Sequence, residues 1–176
     1  MVNTLGTAFN GSAIVKFNEL VMFTQITGLS YQFYNCSSLE EIGLDNITTW
    51  TKADMRRDQI GSSKIQYAYL PSWVAPNGTR DIFFTAIQRG IRVGRNCTSI
   101  AQMTRNGTPV YYIIESAMVV GRSTYYNNAS YFFVHDDYVD AYKASSDWSS
   151  RASTIYPISS FREMFPNEPA RMYEPW

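Results

Sequence analysis

The sequence has few residues of the kinds that usually carry catalysis or metal binding. Its 176 residues include one histidine, His135, and two cysteines, Cys36 and Cys97. It contains no Cys-x-x-Cys or His-Glu-x-x-His pattern, and one histidine excludes a histidine-rich metal site. No glycine-rich phosphate loop is present either. These absences predict a protein that is not an enzyme and has no catalytic residues, cofactor or metal.

Charge and long apolar runs are also scarce. Charged residues are 17% of the chain, and 15 basic residues balance 15 acidic ones. A chain with no excess positive charge lacks the attraction for a phosphate backbone, which argues against nucleic-acid binding. No run of about 18 apolar residues occurs, so no membrane insertion is expected. The first residues lack charged and apolar leader regions, so we expect no signal peptide.

An apolar pattern recurs along the chain, most clearly in residues 33–44. Successive anchors lie 25, 26 and 35 residues apart: Ile14, Leu39, Ile65 and Ile100. A period of this size is typical of a solenoid, and the longer last step indicates an insertion or a degenerate repeat. Ile42 and Leu44 are further anchors, because alternate side chains share one face of a strand. The pattern predicts stacked units whose strands pair edge to edge.

One predicted strand also suggests a binding surface. If Ala68 and Leu70 face the core, the alternation of side chains along a strand turns Tyr67 and Tyr69 towards solvent. Exposed aromatic side chains on one sheet face can mark a contact patch. The alternative is core filling, since the chain has 13 Tyr and 10 Phe. Tyr67 and Tyr69 are nevertheless the predicted binding residues.

Two stretches carry a resemblance to a known family. Residues 33–42, Phe-Tyr-Asn-Cys-Ser-Ser-Leu-Glu-Glu-Ile, resemble the AF-x-x-C-x-S/T-L-x-x-I unit of BspA-like leucine-rich repeats. Residues 131–158 are similar to the terminal module of those proteins. The resemblance implies an α+β, strand-rich fold, namely a short leucine-rich-repeat solenoid with a C-terminal strand-helix cap. It implies one domain over residues 1–161, with residues 131–161 as the cap. Residues 162–176 do not share the resemblance, and Pro166, Pro169 and Pro175 predict an extended tail there.

The pattern of apolar and turn residues makes several local predictions. Residues 110–114 should form a buried strand, residues 131–134 the last strand, and residues 138–145 a helix. Trp148 should be the main apolar anchor of the cap. Cys36 and Cys97 should remain thiols, because at least one unit between them places them beyond disulfide range.

The resemblance implies binding or structure and no catalysis. We expect a non-enzymatic structural or adhesive component of a gut phage virion, associated with its capsid or tail. Its partner would be a virion protein, a second copy of the chain or a host-surface glycan. One alternative is an excised C-terminal region of an adhesin on the bacterial cell surface. A more remote one is a small hydrolase, which a polar cleft joining His135 with Cys97 or Asp136 would favour.

Overall fold

The structure is a computed structural model. It describes residues 9–18, 33, 35–45, 65–70, 87–95, 109–117 and 129–174. The predicted anchor Ile100 and the second cysteine, Cys97, lie outside these residues. Cys36 is a buried thiol whose Sγ donates a hydrogen bond to the carbonyl oxygen of Phe9, at 2.8 Å.

The described residues form one sheet of seven parallel strands. The strands are β1 (Lys16–Phe17), β2 (Glu41–Gly43), β3 (Tyr67–Tyr69), β4 (Gly90–Val93), β5 (Tyr111–Ile114), β6 (Tyr131–Val134) and β7 (Ile155–Pro157). They follow one another across the sheet in chain order. The described helices are short: α1 (Val139–Ala144), α2 (Phe161–Met164) and four 3₁₀ turns, Asp136–Tyr138, Ser149–Thr154, Ile158–Ser160 and Ala170–Met172.

The predicted fold class is therefore wrong. A single seven-stranded, all-parallel sheet with few helices is an α/β-type arrangement, and not the expected α+β leucine-rich-repeat solenoid. The physical reason is that a periodic apolar anchor reports only that successive strands bury the same face. Any sheet whose parallel strands follow in chain order can produce that pattern. The anchors therefore could not determine the fold class.

The first face of the sheet carries the larger hydrophobic core. One continuous row across it runs in register from β2 to β7: Ile42, Ala68, Ile91, Tyr112, Phe132 and Ile155. Of the predicted anchors, Leu39, Ile42, Leu44 and Ile65 are fully buried in this core. Ile14 is half-buried and packs against it. Such burial of apolar side chains is the main favourable contribution to folding.

The residues after β6 cover the end of this core. Trp148 is 3% exposed, and its ring meets those of Phe132 and Tyr142 edge-on, with centroids 5.0 and 5.5 Å apart. The hydroxyl of Tyr142 donates to the carbonyl oxygen of Ser116 at 3.0 Å, which satisfies the buried polar end of the ring. Edge-on contacts of this kind add to the energy of area burial. Trp148 thus joins the helix to the sheet.

The C-terminal segment, defined as residues 158–174, differs from the expected extended tail. It folds back over the second face of the sheet as a series of helical turns, α2 and two of the 3₁₀ turns. Phe161 and Met172 are fully buried within it. Pro166 and Pro169 interrupt regular structure, and the segment accordingly contains only short helical turns.

Candidate functional site

The C-terminal segment packs onto the second face of the sheet through aromatic rings. The Phe161 ring lies edge-on to Tyr111 and Phe133, with centroids 4.8 and 4.9 Å away. Phe165 adds contacts to Tyr111 and to Tyr131, at 5.1 and 5.4 Å. These contacts form a second hydrophobic cluster on the face opposite the main core. The sheet is therefore buried on both faces where these residues lie.

A buried carboxylate fixes the middle of the segment. Glu168 is 8% exposed, forms an ion pair with Arg89 and accepts a hydrogen bond from the Tyr111 hydroxyl at 2.8 Å. Burial raises the pKa of Glu168, but hydrogen bonds from Tyr67, Arg89 and Tyr111 outweigh that effect and hold it below its usual value. A buried charge that is paired and hydrogen-bonded in this way fixes the position of the chain.

A positively charged side chain, that of Arg171, fixes the far end of the segment. The Arg171 guanidinium lies 4.1 Å from the ring centre of Tyr69, and its Nη2 donates to Asp45 Oδ1 at 2.6 Å. Gly43 makes this approach possible, since a Cβ there would stand 2.6 Å from Arg171 Nη2. Charge pairing and the cation–π contact together seat the guanidinium on strand β2 and the adjoining β3.

The predicted binding residues Tyr67 and Tyr69 lie beneath this segment. Tyr69 is fully buried and Tyr67 is half-buried, so the interpretation of an exposed aromatic patch is wrong. Ala68 does belong to the opposite cluster, so the alternation of side chains along β3 is as expected. The reason for the error is that Arg171 and Glu168, far away in sequence, cover the face.

A second surface, the carboxyl-edge groove, lies where several parallel strands end. Its volume is about 540 Å³, and it is lined by Arg95, Glu115, Ala117, His135, Asp136, Tyr138, Ile158 and Tyr173. Most of these residues come directly after β4, β5, β6 and β7, and Tyr173 comes from the C-terminal segment. Ligands in open α/β sheets usually lie beyond the carboxyl ends of the strands, at a point where the strand order reverses. The order does not reverse among the described strands, so the groove is selected by its volume and its exposed polar side chains. The groove is therefore the candidate site.

One wall of the groove is an ion cluster. Glu115 Oε2 accepts from Arg95 Nε at 2.9 Å, and Glu115 Oε1 pairs with the buried guanidinium of Arg92. Arg95 itself is exposed, with 59% of its side chain accessible. The terminal nitrogens of Arg95 have no partner among the residues that the structure describes. They are donors available to a ligand.

The opposite wall is built on the turn that follows β6. His135 Nδ1 accepts from the backbone N–H of Asp137 at 3.4 Å, and the imidazole ring lies 5.4 Å from that of Tyr138. Asp136 Oδ1 accepts from the N–H of Ser159 at 3.1 Å, and the hydrogen bonds from Ser159 lower its pKa. Within the described ranges, His135 Nε2 and the hydroxyls of Tyr138 and Tyr173 have no hydrogen-bond partner.

Only part of this groove was predictable from the sequence. His135 and Asp136, the pair expected to matter if a cleft joined them, both line the groove. Arg95, Glu115 and Tyr173 were not predicted as site residues. The available signal was that Arg95 and Glu115 each follow a buried strand, but four arginines interrupt the apolar residues at 80–95, and such a pattern fits either a helix or a strand. Tyr173 lies in the residues expected to form a tail.

Comparison with known proteins adds no assignment. No protein-family model, curated protein or solved structure matches this chain. Among the described residues, no group of histidine, cysteine, aspartate and glutamate could hold a metal ion. The part of the chain that the structure describes has no helix both long and apolar enough to cross a membrane.

Proposed function

We propose that the protein is a non-enzymatic structural or adhesive component of a phage virion, which binds a protein or a host-surface glycan. The observation that carries the proposal is the carboxyl-edge groove, where aromatic rings and unpaired donors face a space of about 540 Å³. That volume lies within the roughly 300–1,000 Å³ typical of ligand sites. Most of its lining residues follow closely on the ends of paired strands, which anchor the chain next to the groove.

The chemistry of the groove favours binding over turnover. No serine or cysteine is among the described residues that line it, so no hydroxyl or thiol nucleophile of the usual kind faces His135 there. Glu115 is paired with two arginines, and the lowered pKa of Asp136 keeps that carboxylate ionised. A carboxyl group that acts as a general acid needs a raised pKa instead.

The small hydrolase remains the second candidate, because His135 and its sequence neighbour Asp136 both line the groove. The excised region of a bacterial surface adhesin is the other alternative, with the same binding role at the cell surface. A hydrolase would release product from a bound ester or glycoside. A binding protein would return the ligand unchanged after dissociation.

Localisation and binding test the proposal together. Antibodies to the full chain should label purified particles of the phage that encodes it when viewed by electron microscopy. The fluorescently labelled chain should also bind intact gut bacterial cells and should release no sugar or acid from them. Label on a bacterial envelope and not on particles would favour the adhesin. Absence of both label and cell binding would refute a structural or adhesive role.

A further inference from the structure

We propose that the carboxyl-edge groove binds a short, neutral carbohydrate. This inference rests on the proposed function and names the ligand of the same site. Several polar atoms at the groove have no partner among the described residues: the terminal nitrogens of Arg95, Nε2 of His135 and the hydroxyls of Tyr138 and Tyr173. They comprise fixed donors and groups able both to donate and to accept. A sugar, whose hydroxyls also do both, can satisfy each of them.

The balance of charge in the groove favours a neutral ligand. Arg95 on the lining and the buried Arg92 behind it are offset by Glu115 and Asp136, so the groove as a whole has no excess of either sign. A phosphate or sulfate group would meet Asp136 as well as Arg95. An amine would meet the arginines. Selection by hydroxyl groups therefore fits the groove better than selection by charge.

The aromatic side chains supply the apolar part of the site. Tyr138 and Tyr173 are each partly exposed, and both line the groove. Tyr offers a large rigid ring at low entropic cost, together with a polar tip. A pyranose ring has an apolar C–H face and a polar rim of hydroxyls. The C–H face can pack on a tyrosine ring while the hydroxyls bond to the polar groups of the groove.

The position of each group is held by the fold. Tyr173 is fixed by its ring contact with Phe161 at 6.1 Å, and Arg95 by its bond to Glu115. His135 is oriented by the N–H of Asp137 at Nδ1, which leaves Nε2 for the ligand. Preorganised groups lose little entropy when they bind, so even a few hydrogen bonds suffice for a measurable affinity.

The experiment uses the single histidine as a reporter. Because His135 is the chain's only histidine, its imidazole gives one assignable set of NMR signals. The full-length protein is titrated with neutral tri- and tetrasaccharides of glucose, galactose, mannose and N-acetylhexosamines, and with a proline-rich peptide as a second ligand class. We expect one or more of the saccharides to shift the His135 signal saturably. Sulfated analogues should bind no more tightly.

Variants that keep side-chain volume separate the groove from other surfaces. Tyr173→Phe and Tyr138→Phe should each weaken saccharide binding about three- to tenfold, because each removes about one hydrogen bond and leaves His135 in place as the reporter. Tyr156→Phe and Asp140→Asn lie outside the lining and should bind as the parent does. Equal melting temperatures for all four variants exclude unfolding as the cause.

The remaining outcomes distinguish this inference from the proposed function. Saccharide binding that the two groove variants leave unchanged would overturn the groove as its site. Binding of the peptide alone, or binding of cells without any saccharide, would overturn the carbohydrate assignment and would leave an adhesive role intact. Absence of particle label, cell binding and saccharide binding together would refute both proposals.

Discussion

Replacement of Glu168 by glutamine is the sharpest test of how the C-terminal segment is held. The carboxylate accepts from Arg89 and Tyr111, and Glu168 is 8% exposed. Glutamine keeps the shape but replaces one acceptor oxygen with an NH₂ donor. That donor would face other donors, so at least one buried group would lose its partner.

The expected cost follows from the burial of these groups. A net hydrogen bond to a charged group is worth about 1.5–3 kcal/mol, and an unsatisfied buried group costs about 1–3 kcal/mol. The Arg89 side chain is 41% exposed, so solvent reduces the contribution of its ion pair. We expect Glu168→Gln to lower the free energy of unfolding by about 2–4 kcal/mol. For a chain of this size that corresponds to a fall in Tm of roughly 4–16 °C.

Thermal unfolding followed by circular dichroism measures the effect, and Glu163→Gln on the exposed side of α2 is the matched control. The folded pKa of Glu168 lies below its ordinary value of 4.5. Its contribution is therefore present above pH 4.5 and is lost as the pH falls through the folded pKa. The Tm difference between parent and Glu168→Gln should shrink accordingly in acid. Equal Tm values for the two glutamine variants at pH 7 would refute the buried network.

Four further substitutions test the packing. Gly90→Ala should destabilise by about 1–3 kcal/mol in denaturant titration, because its Cβ would overlap the fixed Tyr111 ring and stand 2.7 Å from Met172 Cε; unchanged stability would contradict the close approach. Tyr69→Phe should be neutral or stabilising, since the buried hydroxyl has no hydrogen-bond partner in the described structure, and a large loss would indicate one. Leu39→Ala should cost about 2–5 kcal/mol, and an unchanged melting curve would mean that Leu39 is not in the core. Trp148→Ala should cost about 3–5 kcal/mol by leaving a cavity beside Phe132 and Tyr142, and it should increase light scattering by exposing apolar rings of the main core; unchanged melting would contradict its role as the anchor of this end of the core.

Local structure was predictable where apolar runs and turn signals coincide. The strand expected at residues 110–114 is β5, the helix expected over residues 138–145 is α1, and Trp148 is buried as expected. Residues 131–134 form a strand, but it is not the last one, because β7 follows it. The three residues of β7 end in proline and give too short a pattern to recognise.

Strand β4 shows why part of the sheet was not predictable. The pattern of residues 80–95 fits either a helix or a strand, because arginines interrupt its apolar residues. One of them, Arg92, is 1% exposed at the centre of β4, where it pairs with Glu115. A charge usually indicates a solvated position, but Glu115, directly after β5, and the carbonyl oxygen of Arg171 pair with this guanidinium and make its burial tolerable. These partners are 23 and 79 residues away, which the local sequence cannot show.

For the same reason the predicted binding surface differs from the candidate site: the prediction placed it on a face of the sheet, whereas the groove lies at the edge. The local sequence indicates a face that presents Tyr67 and Tyr69, but Glu168 and Arg171 cover that face in the structure. The bond from Arg171 to Asp45 spans 126 residues, so the local sequence could not show this cover. Because hydrophobic clusters cover both faces of the described sheet, a ligand can reach it at the ends of the strands. Tyr173, two residues after Arg171, then contributes its ring to the groove. The segment that removes one potential site therefore builds part of another, so contacts that hold the segment also position the groove.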